Sequence, residues 1–173
     1  KPPVMADDMC FDMHHARELV LNNACDLISI YPGKNGGISK SKAIVDFAAQ
    51  HGVGCSIGSN LEWDIGTAAM AHVVVACPNM QVEKFPGDML GPEYHATRIV
   101  TNPLEIDGPR VTITDRPGLG VDVDWAVVRE QLSGVDFYLF LRDLLDHFDE
   151  RLDDLRAKLA ELADRIFVAD GCM

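Results

Sequence analysis

Short apolar runs alternate with longer amphipathic stretches through the first half of the chain. The runs occupy residues 4–7, 27–31, 53–58 and 80–84, and between them lie stretches at about 12–22, 39–50 and 65–76 in which apolar residues recur at helical spacing. Helix punctuation stands at the expected places: Asn22-Asn23 after the first stretch, Ser39 before the second, Gly52 after it, and Pro78-Asn79 beyond the third. Runs alternating with helices of this length predict βαβ crossovers and a parallel sheet. The runs begin at Val4, Leu27, Val53 and Met80, a nearly constant spacing that fits successive units of a (β/α) barrel. A full barrel of eight units needs about 250 residues. The four units here predict half of one.

From residue 85 to about 128 the pattern changes. Pro and Gly recur, with short alternating stretches such as residues 110–114, which predicts an irregular segment with small strands wrapped on a scaffold. Beyond it, Leu141, Leu145, Phe148, Leu152, Leu155, Leu159, Leu162 and Ile166 step alternately by four and three, a heptad stripe on a long amphipathic helix. Two readings fit the stripe: a helix laid on its own domain, or a coiled coil that would make the protein a homo-oligomer. The chain is thus expected to divide into a partial barrel over residues 1–130 and a helical tail over residues 131–173.

Of 173 residues, 27 are acidic and 15 basic, a formal charge of −12. That balance argues against nucleic acid and anionic membranes as partners, since both recruit Lys and Arg patches. No apolar run approaches the roughly 20 residues of a membrane span, and Lys1-Pro2-Pro3 leads into acids rather than an apolar leader segment. The five cysteines lack any C-x-x-C pair, which fits reduced, buried thiols and a cytoplasmic location. The chain lacks an initiator Met and opens almost within an apolar run, so we expect a piece of something longer.

In (β/α) barrels chemistry gathers at the C-terminal ends of the strands. The first run ends in Asp7 and Asp8, the second in Tyr31 followed by Gly33-Lys34-Asn35-Gly36-Gly37, the third in Ser59, Asn60 and Glu62, and the fourth in Glu83 and Lys84. Period-two alternation places Leu27, Ser29 and Tyr31 on one face and Ile28 and Ile30 on the other, and sets Gln81 and Glu83 together. Asp7, Tyr31 and Glu83 are therefore expected at the mouth, with Asn60 and Glu62 near them. Carboxylates on adjacent strand ends suit a hard divalent cation. Asp64 reads as an exposed acid at a helix N-terminus, and His14-His15 as a solvated helix start, because adjacent helical residues point apart. The Gly33–Gly37 loop lacks the Lys-Ser/Thr ending of a phosphate loop and reads as a turn that lets substrate approach.

Met5-Ala6-Asp7-Asp8, the segment from Asp26 through Tyr31 to Gly37, Gly58-Ser59-Asn60-Leu61-Glu62, Ile65-Gly66-Thr67-Ala68, and Pro117-Gly118-Leu119-Gly120 with Asp122 and Asp124 together resemble the enolase superfamily, and within it the mandelate racemase/muconate lactonizing group. The resemblance covers about residues 3–130 in consistent order. It implies the C-terminal half of the barrel, strands five to eight, and an enzyme that removes the α-proton of a small carboxylic acid with Mg²⁺ stabilising the enediolate. It implies Asp7 as a metal ligand with Asp8 beside it, Tyr31 and Glu83 as catalytic groups, and Ser59, Asn60, Glu62 and Lys34 as substrate-binding groups. Two departures follow from the comparison. Tyr31 stands where muconate-type members carry a catalytic lysine, and Ser59-Asn60 stand where racemase-type members carry a histidine. The missing N-terminal half, with its other metal ligands and a Lys-x-Lys strand, becomes an expected partner. Dehydration, cycloisomerisation and epimerisation are the implied outcomes in the whole protein, with this chain inactive alone. The alternative is a catalytically incomplete half-barrel that serves as an assembly module through its heptad helix.

Overall fold

A computed structural model describes residues 2–132, in an α/β arrangement. The chain divides into two compact units, Lys1–Val127 and Val128–Met173. Strands β1 (Met5–Ala6), β2 (Leu27–Ile30) and β3 (Gly54–Ile57) form a parallel sheet in that order, and helices α1 (Met13–Leu21) and α2 (Ile38–Gln50) make its crossovers. Helix α3 (Asp64–Ala76) follows β3. Pairing runs Met5 to Leu27, Ala6 to Ile28, and Leu27 through Ile30 to Gly54 through Ile57.

The helices form where local chemistry starts and stops them. Asp12 adopts an extended backbone and its carboxylate accepts from the His15 N–H, 3.0 Å away, an N-cap that opens α1. Helix α2 ends at His51, and Gly52 follows with φ +73, the left-handed conformation that a glycine tolerates after a helix end. Helix α3 stops before Pro78, which cannot donate to a further turn.

Alternation sorts the strands into two faces. Ile28, Ile30, Cys55 and Ile57 pack toward the helices with Val20, Ile44, Ala48 and Met70, and all eight are buried. Leu27, Ser29 and Tyr31 take the opposite face and are buried as well. The thiols of Cys10, Cys25, Cys55 and Cys77 are free and buried. Desolvation pushes Cys10 up to about 11 and Cys55 up to about 12.

The run at residues 80–84 departs from expectation. It contributes only an isolated parallel bridge between Met80 and Cys55. The backbone then turns, with the Lys84 and Phe85 N–H groups both donating to the Gln81 carbonyl. Closure on itself satisfies these groups locally, and the segment returns to β3 through Ser56 Oγ donating to the Phe85 carbonyl at 2.7 Å and the Asp88 N–H donating to the Ile57 carbonyl at 3.2 Å.

Beyond this turn lie a short 3-10 turn, Gly91–Tyr94, and an antiparallel hairpin of β4 (Glu105–Asp107) and β5 (Arg110–Thr112). A second apolar cluster of Ala68, Ala71 and Leu104, joined by Val111, Leu119 and Val121, fastens this segment to α3. Helix α4, Trp125–Leu132, begins where the Asp124 carboxylate accepts from the Ala126 and Val127 N–H groups. The heptad stripe lies outside the described residues. Among those described, no helix is long and apolar enough to cross a membrane.

Candidate active site

Three segments meet at the C-terminal ends of the strands. The loop after β1 carries Asp7 and Asp8, the end of β2 carries Tyr31 with the turn that follows, and the loop after β3 carries Ser59, Asn60 and Glu62. Tyr31 is buried, 8 % exposed. Its ring lies against Gly58, where a Cβ would stand 2.2 Å from two ring atoms. Burial first, then the neighbouring Asp7 carboxylate, push the phenol up to about 12, so Tyr31 is held neutral.

Lys34 lies over this pair. Its ammonium is 3.8 Å from the Tyr31 ring centroid, donates to the Asp7 carbonyl at 2.9 Å, and stands 3.6 Å from a carboxylate oxygen of both Asp7 and Asp8. The lysine side chain is 6 % exposed, whereas those of Asp7 and Asp8 are 56 % and 86 % exposed. The amine is thus seated between an aromatic face and two carboxylates, with its compensation drawn from both.

The loop after β3 forms a second polar group. Glu62 Oε2 accepts from Ser59 Oγ at 2.8 Å and from the Asn60 N–H at 2.9 Å, and Ser59 Oγ in turn accepts from the Leu61 N–H. Leu61 sits at φ +61, an uncommon conformation for a leucine, held while His95 Nε2 pairs with its carbonyl at 2.8 Å. The other carboxylate oxygen, Oε1, is buried without a hydrogen-bond partner and lies 3.8 Å from where a Cβ on Gly33 would stand. The loops after β2 and β3 therefore abut at Gly33 and Glu62.

The structure brings Asp7, Asp8, Tyr31 and Lys34 into one cluster and sets Ser59, Asn60 and Glu62 beside it. It does not bring Glu83 in. The run 80–84 turns instead of extending as a strand, and Glu83 is exposed on that turn. Asp64 also differs from expectation. It is 2 % exposed, its carboxylate accepting from Arg98 Nε at 2.6 Å and from the Ile99 N–H at 3.2 Å, so it anchors the distant segment around Arg98 to the start of α3.

Asn35 was not among the expected site residues. It is 1 % exposed, and its carboxamide accepts from the Tyr31 N–H and donates to the carbonyls of Cys10 and Phe11. The available signal was an amide-bearing residue immediately before Gly36-Gly37, a setting in which Asn bonds the local backbone.

Magnesium takes near-octahedral oxygen coordination and often keeps several waters. Among the described residues no group of three or more His, Cys, Asp or Glu side chains converges as a metal site. Asp7 offers one carboxylate and shares it with a lysine ammonium, so the residues of this cluster do not by themselves make that donor set.

A family model for enolase C-terminal domain-like proteins matches residues 1–127. The chain belongs to this family: it is an enolase-superfamily C-terminal domain of the mandelate racemase/muconate lactonizing group. It is 32 % identical over 127 residues to muconate cycloisomerase 1 of Rhodococcus opacus, covering 73 % of this chain and 33 % of that protein. It is also 32 % identical over 119 residues to the L-Ala-D/L-Glu epimerase of Bacillus subtilis, covering 69 % of this chain and 31 % of the epimerase. Among solved structures, the substrate-liganded complex of that epimerase superposes with a TM-score of 0.65 at 30 % identity, over 70 % of this chain and 33 % of the other. The muconate lactonizing enzyme at 1.85 Å superposes with a TM-score of 0.67 at 27 % identity, over 76 % and 34 %. The chain therefore spans about a third of the length of the relatives it matches.

Proposed function

We propose that this chain supplies one sector of the active site of an enzyme that removes the α-proton of a small carboxylate to give an enediolate, leading to cycloisomerisation, epimerisation or dehydration. In this reading the strands β1 to β3 and the bridge at Met80 correspond to strands five to eight of a barrel. The observation that carries it is the joint seating of Asp7, Tyr31 and Lys34 at the C-terminal ends of adjacent parallel strands, where barrel enzymes build their sites. The relatives support the substrate class: a muconate cycloisomerase, an L-Ala-D/L-Glu epimerase and an o-succinylbenzoate synthase all carry names that denote carboxylates.

The residues divide the work by their chemistry. Asp7, paired with the Lys34 ammonium, presents an anionic oxygen to solvent at the mouth. In the whole protein it would supply one oxygen to Mg²⁺, whose chemistry is to stabilise negative charge developing on a substrate carboxylate. Lys34 adds a fixed positive charge to the same end of the sheet. A phenol raised to about 12 is a poor proton acceptor near neutral pH, so the proton acceptor is a different group.

Proton exchange in D₂O tests this directly. The whole protein, with Mg²⁺, is incubated with muconate, L-Ala-L-Glu and 2-succinylbenzoate precursors, and α-deuteration or turnover is followed by NMR. We expect exchange or turnover with at least one carboxylate and its loss in Asp7→Asn. Undiminished exchange in Asp7→Asn, or none with any carboxylate, overturns the proposal.

A further inference from the structure

The turn after β2 carries the one Asn-Gly pair in the sequence, Asn35-Gly36. The fold calls for both residues. Gly36 and Gly37 stand at φ +82 and +102, the left-handed region that glycine enters at little cost. Asn35 is 1 % exposed, and its carboxamide joins this turn to the loop after β1. Its Oδ1 accepts from the Tyr31 N–H at 2.8 Å, and its Nδ2 donates to the Cys10 carbonyl at 2.9 Å and the Phe11 carbonyl at 3.2 Å. The backbone is held on both sides of the pair, the Asn35 N–H donating to the Tyr31 carbonyl and the Gly37 N–H to the Pro32 carbonyl, each at 2.7 Å.

An asparagine followed by glycine is chemically unstable in a free chain, because a residue without a Cβ leaves its nitrogen unobstructed. The Gly36 nitrogen gives up its proton and bonds to Cγ of Asn35, the Cγ–Nδ2 bond breaks, and Nδ2 leaves with that proton as ammonia. Water then opens the resulting cyclic imide at either carbonyl, leaving aspartate or isoaspartate. In the folded chain this path is opposed. Addition at Cγ makes that carbon tetrahedral and expels Nδ2, which breaks the bonds that the planar amide makes to Tyr31, Cys10 and Phe11.

We infer that Asn35-Gly36 is a deamidation site, shut while the loop after β1 stays docked on Asn35 and opened when Cys10 and Phe11 let go. The product does not redock. An aspartate at position 35 sets an acceptor-only carboxylate against two carbonyls, and isoaspartate lengthens the backbone by a methylene. The reaction is therefore a one-way release of the loop that begins at Asp7. It is chemistry of the chain itself and holds whatever substrate the whole protein takes.

The full chain is incubated at mildly alkaline pH, folded and in urea, and the peptide carrying residue 35 is followed by chromatography and mass spectrometry, which separate asparagine, aspartate and isoaspartate. Conversion is expected at least about 100-fold slower in the folded chain, the factor that three hydrogen bonds of ordinary strength set. Equal rates overturn the inference. Asp12→Ala removes the cap that starts α1 directly after Phe11, and is expected to speed conversion of the folded chain several-fold. Asp64→Ala loosens the start of α3 instead and serves as comparator. Equal acceleration by the two variants, for equal lost stability, means that the pair opens only when the whole chain unfolds, and overturns gating by the loop. Should Asp12→Ala not fold, hydrogen exchange of the unmodified chain decides. The Tyr31 N–H is expected to exchange ahead of the interior of β2, and exchange only with the slowest amides of that strand overturns the inference.

Discussion

Gly58 is the space into which Tyr31 fits: a Cβ on Gly58 would stand 2.2 Å from Cε2 and Cζ of the ring and 2.6 Å from the Ser29 hydroxyl. Gly58 follows the last residue of β3 and its N–H donates to the Ile30 carbonyl at 2.9 Å, so the backbone is held close by the sheet and cannot retreat. Gly58→Ala is therefore expected to destabilise the chain by about 1–3 kcal/mol through overpacking. Tyr31→Ala removes the ring and leaves only the Ser29 hydroxyl in the way, and in that background Gly58→Ala should cost less. Urea denaturation of the four chains of the cycle measures the coupling. Additive effects would mean that the ring does not occupy this space.

Asp64 and Arg98 are coupled through burial. The aspartate is 2 % exposed and the arginine side chain 31 %, and the carboxylate also accepts from the Ile99 N–H. Asp64→Ala leaves the Ile99 N–H without an acceptor and the partly buried guanidinium with only the exposed Glu93, 3.4 Å away, and we expect a loss of about 3 kcal/mol, the lower end for a broken buried pair because Arg98 keeps some solvent and that second carboxylate. Asp64→Asn retains an acceptor and should cost less. No loss in Asp64→Asn, read from denaturant midpoints, would show that the charge contributes nothing.

The buried acids of the core make the fold sensitive to alkali. Tyr31 is raised to about 12 from 10.0, Cys10 to about 11 and Cys55 to about 12 from 9.0, each chiefly by desolvation. In every case the folded chain holds its proton to higher pH than the unfolded chain. Stability is then independent of these groups below about pH 9, and falls as pH rises through the interval between the unfolded and folded values. For Tyr31 alone the loss is on the order of 2–3 kcal/mol across that interval. Melting temperatures between pH 7 and 11 should be flat at first and then decline. Cys55→Ala should remove part of the decline, and a decline of unchanged steepness would remove that thiol from the account.

Much of this arrangement was legible in the sequence where its cause is local. Gly52 and Pro78 stand beside the helix ends they define, and the alternation of Leu27, Ser29 and Tyr31 against Ile28 and Ile30 separates the two faces of β2. Asp7 and Tyr31 could be grouped because parallel strands bring their C-terminal ends together, whereas Lys34 stood outside that group and Glu83 inside it. What escaped was set at a distance or by absence. The partner of Asp64 is Arg98, 34 residues away, and no local pattern couples them. The fit of Gly58 to Tyr31 depends on strand register, which only pairing reveals. Residues 80–84 carry strand-like alternation, yet strand propensity expresses side-chain packing on neighbours, and here the backbone closes on Gln81 instead.

Lys34 is the last element whose placement can be checked without a substrate. Its ammonium lies over the Tyr31 ring and donates to the Asp7 carbonyl, and both neighbouring carboxylates lie 3.6 Å away. A buried and paired amine is a poor nucleophile, whereas Lys40, Lys42 and Lys84 are exposed. Trace acetylation of the folded chain, read residue by residue by mass spectrometry, should therefore label Lys34 slowest of these four. Lys42 offers an internal control, since it pairs with Asp46 at 2.6 Å on the surface and lacks only the burial. Combined Asp7→Asn and Asp8→Asn substitution removes both charges that hold the ammonium while preserving the carbonyl acceptor, and should raise the Lys34 rate toward that of Lys42. Labelling of Lys34 at the rate of Lys40 in the unmodified chain would mean that the amine is not seated on Tyr31, and the positive charge assigned to this end of the sheet would have to be withdrawn.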